Sequence, residues 1–353
     1  MYNVGIIGFG GMGHYHFLSM SNYSKTKVKG IFDIDPKRNE FAKSLGLTAY
    51  TSSDALFADP EIDIVIIAST NDVHKEHSIN SLAAGKHVIC EKPVTITSSD
   101  LQEIIDAAAK YQGLFTINQN RRTNRDFLLM EEYVKKGLLG DIYAIESRIE
   151  GSRGVPKGWR TLKALGGGML LDWGVHLIDQ IMYMIDEKIT NVFCKMYSIH
   201  YPDVDDNFRL TLTFESGLTA QIEVGTNNFI AHPRWYVLGK QGTLQIDDWD
   251  CNGRIVRCIN DDNTWEDEIV YTKAGPTKTM APRCEKSTET IKIFEPEDSE
   301  YNKGLHAVYN QFLNAIEGLD ELKITTDQAM RVMKIIEAAF LSNDTKAAVK
   351  VNI

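Results

Sequence analysis

Over its first 120 residues the chain alternates short apolar runs with helical patterns, the texture of βαβ units in a parallel sheet. Strands are expected over 3–8, 27–32, 47–50, 63–68, 87–90 and 114–119. Several are rich in Ile and Val without polar alternation, as strands covered on both faces should be. The spacing predicts helices over 11–21, 36–45, 54–57, 71–84 and 99–111, with Gly46, Gly85 and Gly113 standing just past three of them, where a glycine favours helix termination. Beyond about Asn120 the texture changes. A helix over 125–136 and a strand over 142–150 lead into a loop rich in glycine and basic residues that ends at Gly168, and a helix over 172–185 follows. From 190 to 246 runs of β-prone residues, such as 208–214, 218–226 and 235–238, alternate with turns and predict a mostly antiparallel sheet. The stretch 247–302 is polar and carries no clear pattern, and helices over 304–317 and 327–341 close the chain. The fold class is therefore α/β: a doubly wound parallel sheet over 1–120, then a second α/β domain over 121–353.

The size, 353 residues, fits two such domains. With 43% hydrophobic and 24% charged residues the composition is globular, which sets aside disorder, fibrous repeats and small disulfide scaffolds. Lys plus Arg (38) against Asp plus Glu (48) leaves a net charge of −10, a sign that opposes binding to phosphate backbones or anionic lipid, so neither nucleic acid nor membrane is an expected partner. The longest apolar run, Ile64 to Ala68, is far below the roughly 20 residues of a spanning helix. The first residues already read as a strand entering a glycine turn, so no signal peptide is expected and a cytoplasmic location is. Five cysteines (Cys90, Cys194, Cys251, Cys258, Cys284) form no C-x-x-C pair and fit free thiols in a reducing compartment.

Gly8-Phe9-Gly10-Gly11-Met12-Gly13 matches G-x-G-x-x-G between a strand and a helix, the context that motif needs. Gly8 permits the tight turn, Gly10 lets backbone approach a pyrophosphate, and Gly13 lets helix and strand pack closely, while the helix N-terminus presents N–H groups to phosphate. Asp33, twenty residues after Gly13, stands where a carboxylate accepts from ribose hydroxyls. It repels a 2′-phosphate and so favours NAD over NADP, although Lys37 and Arg38 nearby soften that repulsion and keep NADP open. Ser69-Thr70-Asn71 follows the fourth strand at its carboxyl end, the edge where parallel sheets bind ligands; Asn71 also suits a helix N-cap.

Glu91-Lys92-Pro93 ends the fifth strand in the same crevice, where an ammonium can donate to a substrate oxygen. Gly166-Gly167-Gly168 precedes Asp172 and His176, whose i, i+4 spacing makes them neighbours on a helix face. Imidazole suits proton transfer at neutral pH and a carboxylate can orient it; an N-cap aspartate and a packed histidine would share that spacing. The triple glycine allows backbone to approach a ligand closely. Between the domains, Asn120, Arg121, Arg122, Arg153, Trp159, Arg160 and Asp179 offer donors and an aromatic face suited to a polyhydroxylated ring. Asp172 with His176, and His74 with His77, have metal-ligand spacings, but no further ligands join them at recognisable spacing, so no metal is expected.

The glycine motif, Glu91-Lys92-Pro93 and the Gly-Gly-x-x-x-Asp-x-Gly-x-His run from Gly167 to His176, in this order and spacing, resemble the glucose-fructose oxidoreductase and inositol dehydrogenase (Gfo/Idh/MocA) family. Asn71-Asp72-Val73-His74, Arg122, Gly137-Leu138-Leu139-Gly140 and Thr326-Asp327-Gln328-Ala329 extend the likeness along the chain. The resemblance implies a Rossmann domain followed by an α/β domain whose large open sheet serves assembly into a homodimer or homotetramer. It implies catalytic roles for Lys92, Asp172 and His176, and dehydrogenation of a secondary hydroxyl of a sugar, glycoside or cyclitol, or reduction of the ketone. On that likeness His176 takes the hydroxyl proton, Asp172 positions His176, and Lys92 polarises the reacting oxygen as hydride passes to nicotinamide. Cofactor contacts are expected from Gly8, Gly10, Gly11, Met12, Gly13, Asp33, Ser69, Thr70, Asn71, His74, Glu91 and Lys92. Substrate contacts are expected from Asn120, Arg122, Trp159, Arg160, Asp172 and His176. Two other readings share these residues: an NAD-dependent glycoside hydrolase working through transient sugar oxidation, and a non-catalytic nucleotide-binding regulator.

Overall fold

Alternate residues of a strand face opposite sides of its sheet, and here both sides are apolar. In a computed structural model of the chain, which describes residues 1–259, 269–278, 288–293 and 304–353, all four residues of Ile64–Ile67 are buried, Ile64 and Ile66 toward one core and Val65 and Ile67 toward another. The first sheet has six parallel strands in the order β3-β2-β1-β4-β5-β6. They are β1 (Tyr2–Ile7), β2 (Thr26–Phe32), β3 (Thr48–Ala49), β4 (Ile64–Ile67), β5 (His87–Cys90) and β6 (Phe115–Ile117). The helices between them are α1 (Gly11–Ser21), α2 (Pro36–Ser44), α3 (Ser53–Phe57), α4 (His74–Ala83) and α5 (Ser98–Tyr111). Their starts are set by side-chain caps: Asp35 accepts from Lys37 N, Ser52 from Ala55 N and Thr97 from Asp100 N. Strand order reverses between β1 and β4, and ligands bind such sheets at the carboxyl edge of that switch point.

The second part contributes α6 (Arg125–Lys135), β7 (Ile142–Glu150), α7 (Val175–Met184), β8 (Ile189–Tyr197), β9 (Asn207–Phe214), β10 (Thr219–Gly225), β11 (Trp235–Gly239) and β12 (Gly242–Ile246). Strands β13 (Gly253–Cys258), β14 (Ile269–Thr272), β15 (Gly275–Lys278) and β16 (Thr288–Lys292) fall in the stretch without sequence pattern; α8 (Gly304–Ile316), α9 (Thr326–Thr345) and β17 (Val349–Lys350) complete it. Nine strands form a mixed sheet in the order β16-β13-β12-β11-β7-β10-β9-β8-β17, antiparallel throughout except for β10 beside β7. The expected mostly antiparallel sheet is what the chain builds.

Two returns tie the parts together. Tyr309, Phe312 and Leu313 of helix α8 join the same buried core as Val4, Ile6 and Ile31 of the first sheet, and the helix lies against α1. Helix α9, started by a Thr325–Gln328 capping box, lies against β8 while its Glu337 accepts from Ser98 N and Oγ on α5. Among the described residues no helix is long and apolar enough to cross a membrane. Cys90 and Cys194 are buried free thiols, and Cys284 lies outside the described residues.

Candidate active site

The glycine turn is tight because backbone meets backbone there. Gly8 has φ +85°, and a Cβ on Gly13 would stand 1.9 Å from Gly8 O, so β1 and α1 meet only through glycine. Gly11 opens α1 with free space around it, and Met12 is half-buried behind it. Asp33 reaches back from the end of β2 and accepts from Phe9 N at 2.6 Å, from Asp35 N at 2.8 Å and from Arg38 Nη1 at 3.2 Å. A Cβ at Gly10 would lie 2.9 Å from the same Arg38 Nη1, so this guanidinium covers the outer lip of the cradle. A glycine cradle at a helix start, with a carboxylate at the next strand end, fits a dinucleotide.

Ser69 and Thr70 stay half-buried at the carboxyl end of β4. Two residues expected at the cofactor are engaged within the protein. Asn71 is buried and donates from Nδ2 to Gly166 O at 2.9 Å, and His74 has no exposed surface, its ring nitrogens lying 2.9 Å from Pro93 O and 3.2 Å from Ser69 O. Both fasten crevice loops to each other. Asn71 opens a short 3-10 turn and makes no N-cap hydrogen bond. Glu91 is likewise engaged internally: Oε1 accepts from Asn118 Nδ2 and lies 2.8 Å from His16 Nε2, whose other nitrogen is 2.6 Å from the Tyr309 hydroxyl on α8. Burial pushes its carboxyl up, but His16, Asn118 and Lys92 together hold it below the usual carboxylate range.

The chemical end is assembled across 80 residues of chain. Lys92 Nζ donates to Asp172 Oδ1 at 2.9 Å and to Asp172 O at 2.8 Å, while Arg160 Nε donates to Asp172 Oδ2 at 2.9 Å. Burial alone would raise the Asp172 carboxyl; the two cations outweigh it and lower it. His176 is 4% exposed, and burial first, then the charges of Lys92 and Arg121, lower its pKa well below 6.5. The ring is therefore neutral at pH 7, and its Nδ1 has no hydrogen-bond partner among the described residues.

Two expectations change here. Asp172 does not pair with His176, because Leu170–Gly174 forms a π-helical turn ahead of α7 and both carboxylate oxygens already serve cations. The triple glycine brings backbone close to protein instead of ligand: Cβ atoms at Gly166, Gly167 and Gly168 would meet Asn71 at 2.9 Å, Arg160 O at 2.5 Å and Asp205 Oδ1 at 2.2 Å. Gly168 has φ +106°, and Asp205 Oδ2 accepts from Leu170 N, so a buried carboxylate fixes the start of the π-helical turn that carries Asp172.

Arg122, expected at the substrate, is likewise engaged within the protein. It forms a bidentate pair with Asp179 at 2.6 and 2.7 Å and gives Nη1 to Gln328 Oε1 and Lys323 O, leaving its donors inside the protein. Asn120 stands in the 3-10 turn after β6, and Trp159 lies half-buried under the Arg160 guanidinium. Arg153 and Lys157 are exposed on the loop. Sequence reasoning missed the indoles: Trp173 lies edge-on to His176 at 5.9 Å between ring centroids, and Trp249 stands 6.1 Å from Trp173. Trp173 sits beside Asp172 and was open to notice; Trp249 falls in the unpatterned stretch and gave no signal. Among the described residues no three His, Cys, Asp or Glu side chains gather as a metal site.

A dinucleotide cradle facing a lysine, a carboxylate and a neutral histidine is the equipment of a nicotinamide-dependent oxidoreductase, and the comparisons agree. Residues 2–119 match the model of an oxidoreductase family with an NAD-binding Rossmann fold, and residues 127–245 match the GFO/IDH/MocA C-terminal domain. A solved structure of an NAD-binding protein from Listeria innocua is 42% identical, with 99% of each chain covered and a TM-score of 0.93. The scyllo-inositol 2-dehydrogenase (NADP+) of Bacillus subtilis is 28% identical over 298 residues, 82% of this chain and 79% of the relative. An uncharacterised oxidoreductase of Schizosaccharomyces pombe is 37% identical over 168 residues, about half of either chain at 47% and 46%. The chain belongs to the Gfo/Idh/MocA oxidoreductase family and is an NAD(P)-dependent oxidoreductase.

Proposed function

We propose that the protein oxidises a secondary hydroxyl of a sugar, glycoside or cyclitol, or reduces the corresponding ketone, with the cofactor cradled by Gly8 to Gly13. The observation that carries the reading is the meeting of Lys92 and Asp172 beside a histidine kept neutral, at the carboxyl edge of the parallel sheet. The nicotinamide supplies the hydride acceptor or donor. Neutral His176 accepts the hydroxyl proton, and Lys92 donates a hydrogen bond to the oxygen as its charge develops. Asp172, itself held by Arg160, accepts from Lys92 and acts as a positioning residue. Similarity to a relative named scyllo-inositol 2-dehydrogenase supports a polyhydroxylated ring as substrate.

Asp33 favours NAD, while Arg38, half-exposed and already hydrogen-bonded to it, offers a partner for a 2′-phosphate. We also infer self-association through the nine-stranded sheet, supported by Tyr143, Phe193 and Tyr197, exposed on β7 and β8. The test of activity follows NADH absorbance with NAD and NADP against cyclitols and pyranosides. Turnover of a polyol that Lys92→Ala abolishes is the expected result; no turnover across the panel in either direction would end the proposal.

A further inference from the structure

Among the described residues Arg121 lies in this crevice with indoles beside it and no acceptor for its guanidinium. Its guanidinium carbon sits 4.8 Å from the Trp173 ring centre and 6.0 Å from that of Trp249, whose indole is 49% exposed. Among the described residues it makes no side-chain hydrogen bond or ion pair, and its Nε is buried with no acceptor. Neighbouring carboxylates are spoken for: Asp126 by Arg234 and Trp235, Glu91 by His16 and Asn118, Asp172 by Lys92 and Arg160. Arg122, one residue on, shows the contrast, with a bidentate aspartate of its own.

Arg121 is half-buried with its Nε closed off from solvent, and a guanidinium placed so favours an acceptor that its fork matches, such as a carboxylate. Lys92 and Arg160 share Asp172, and Arg234 holds Asp126, so the charge of Arg121 is added to cations that already occupy the nearby carboxylates. The two indoles beside Arg121 provide flat apolar faces of the kind that stack on the C–H face of a sugar ring. Resting on the dehydrogenase reading, we infer that the substrate is an acidic sugar, a pyranose or related polyol bearing a carboxylate, and that Arg121 grips this carboxylate while the Trp173 and Trp249 indoles flank the ring. Arg121 is thus a specificity residue, distinct from the proton-handling pair.

The experiment compares D-glucuronate and D-galacturonate with D-glucose and D-galactose, by turnover with NAD or NADP and by tryptophan fluorescence titration of the NAD-saturated protein. Acidic sugars should bind at least tenfold tighter than their neutral counterparts, with affinity falling as salt rises. Arg121→Gln should reduce the acid-to-neutral ratio at least tenfold, and Arg121→Lys should restore part of it. Equal or weaker binding of the acids to the unaltered protein overturns the inference whatever the variants do. Turnover of neutral sugars without acid preference also overturns it and leaves the dehydrogenase reading standing, whereas acid-selective binding without turnover of these four compounds supports the carboxylate grip and leaves the dehydrogenase reading to the wider panel of cyclitols and pyranosides.

Discussion

The two walls of the crevice are made of different materials. The cofactor wall is backbone: a glycine turn, a helix start and strand ends, with Asp33 hydrogen-bonded to the turn itself. The opposing wall is charge: Lys92, Asp172, Arg160 and Arg121 around a buried imidazole, supported by glycines that exist so that Asp205, Asn71 and the Arg160 backbone can come close. A backbone wall tolerates change in neighbouring side chains and fails when a Cβ is added. A charged wall fails when one partner is removed, because the survivors are left buried and unpaired.

The comparison is sharpened most by His176→Asn, which removes the proposed proton acceptor without adding volume. A fall in kcat of about 10²–10⁴-fold is expected, with NADH affinity from fluorescence titration unchanged; loss of cofactor binding as well would merge the two walls into one. Next is Gly13→Val, whose Cβ would invade Gly8 O. It should weaken NADH binding at least a hundredfold while circular dichroism still shows a folded protein, and retained affinity would refute the backbone account of the cradle.

A pH profile separates the walls more gently. Because burial, Lys92 and Arg121 lower the His176 pKa well below 6.5, kcat/KM for oxidation should not fall as pH descends to 6.5, and its acid limb should lie lower still. An acid limb at or above 6.5 would contradict this environment.

Asp205 gives a smaller effect on stability. Burial pushes its carboxyl up to about 7, above the ~3.9 of an unfolded aspartate. The folded chain therefore binds more protons between these values, so the contribution is full below the unfolded value and is lost as pH rises through 7. The loss is of order 1–4 kcal/mol. Asp205→Asn should flatten the dependence of Tm on pH across this range; an unchanged slope would assign it to other groups.

Legibility in the sequence follows the same division. Gly8, Gly10 and Gly13 are fixed by local geometry, so their spacing announced the turn and the strands around it. The six-strand sheet was readable because its strands are apolar on both faces. Asp172 and His176 were found by spacing but paired wrongly, since the π-helical turn and the choice of Lys92 and Arg160 as partners depend on chain 80 and 12 residues away. Arg122 and Arg121 are adjacent and chemically identical, and only the fold gives one an aspartate and the other a pair of indoles. The return of α8 to the first sheet, carrying Tyr309 to His16, is a long-range contact that no local pattern encodes.

The most direct test is a single turnover on an oxidisable polyol, timed by the appearance of NADH in the unaltered enzyme and in His176→Asn at saturating cofactor. The account predicts a rapid transient that slows at least a hundredfold in the variant. Equal transients in the two proteins would show that another group takes the proton.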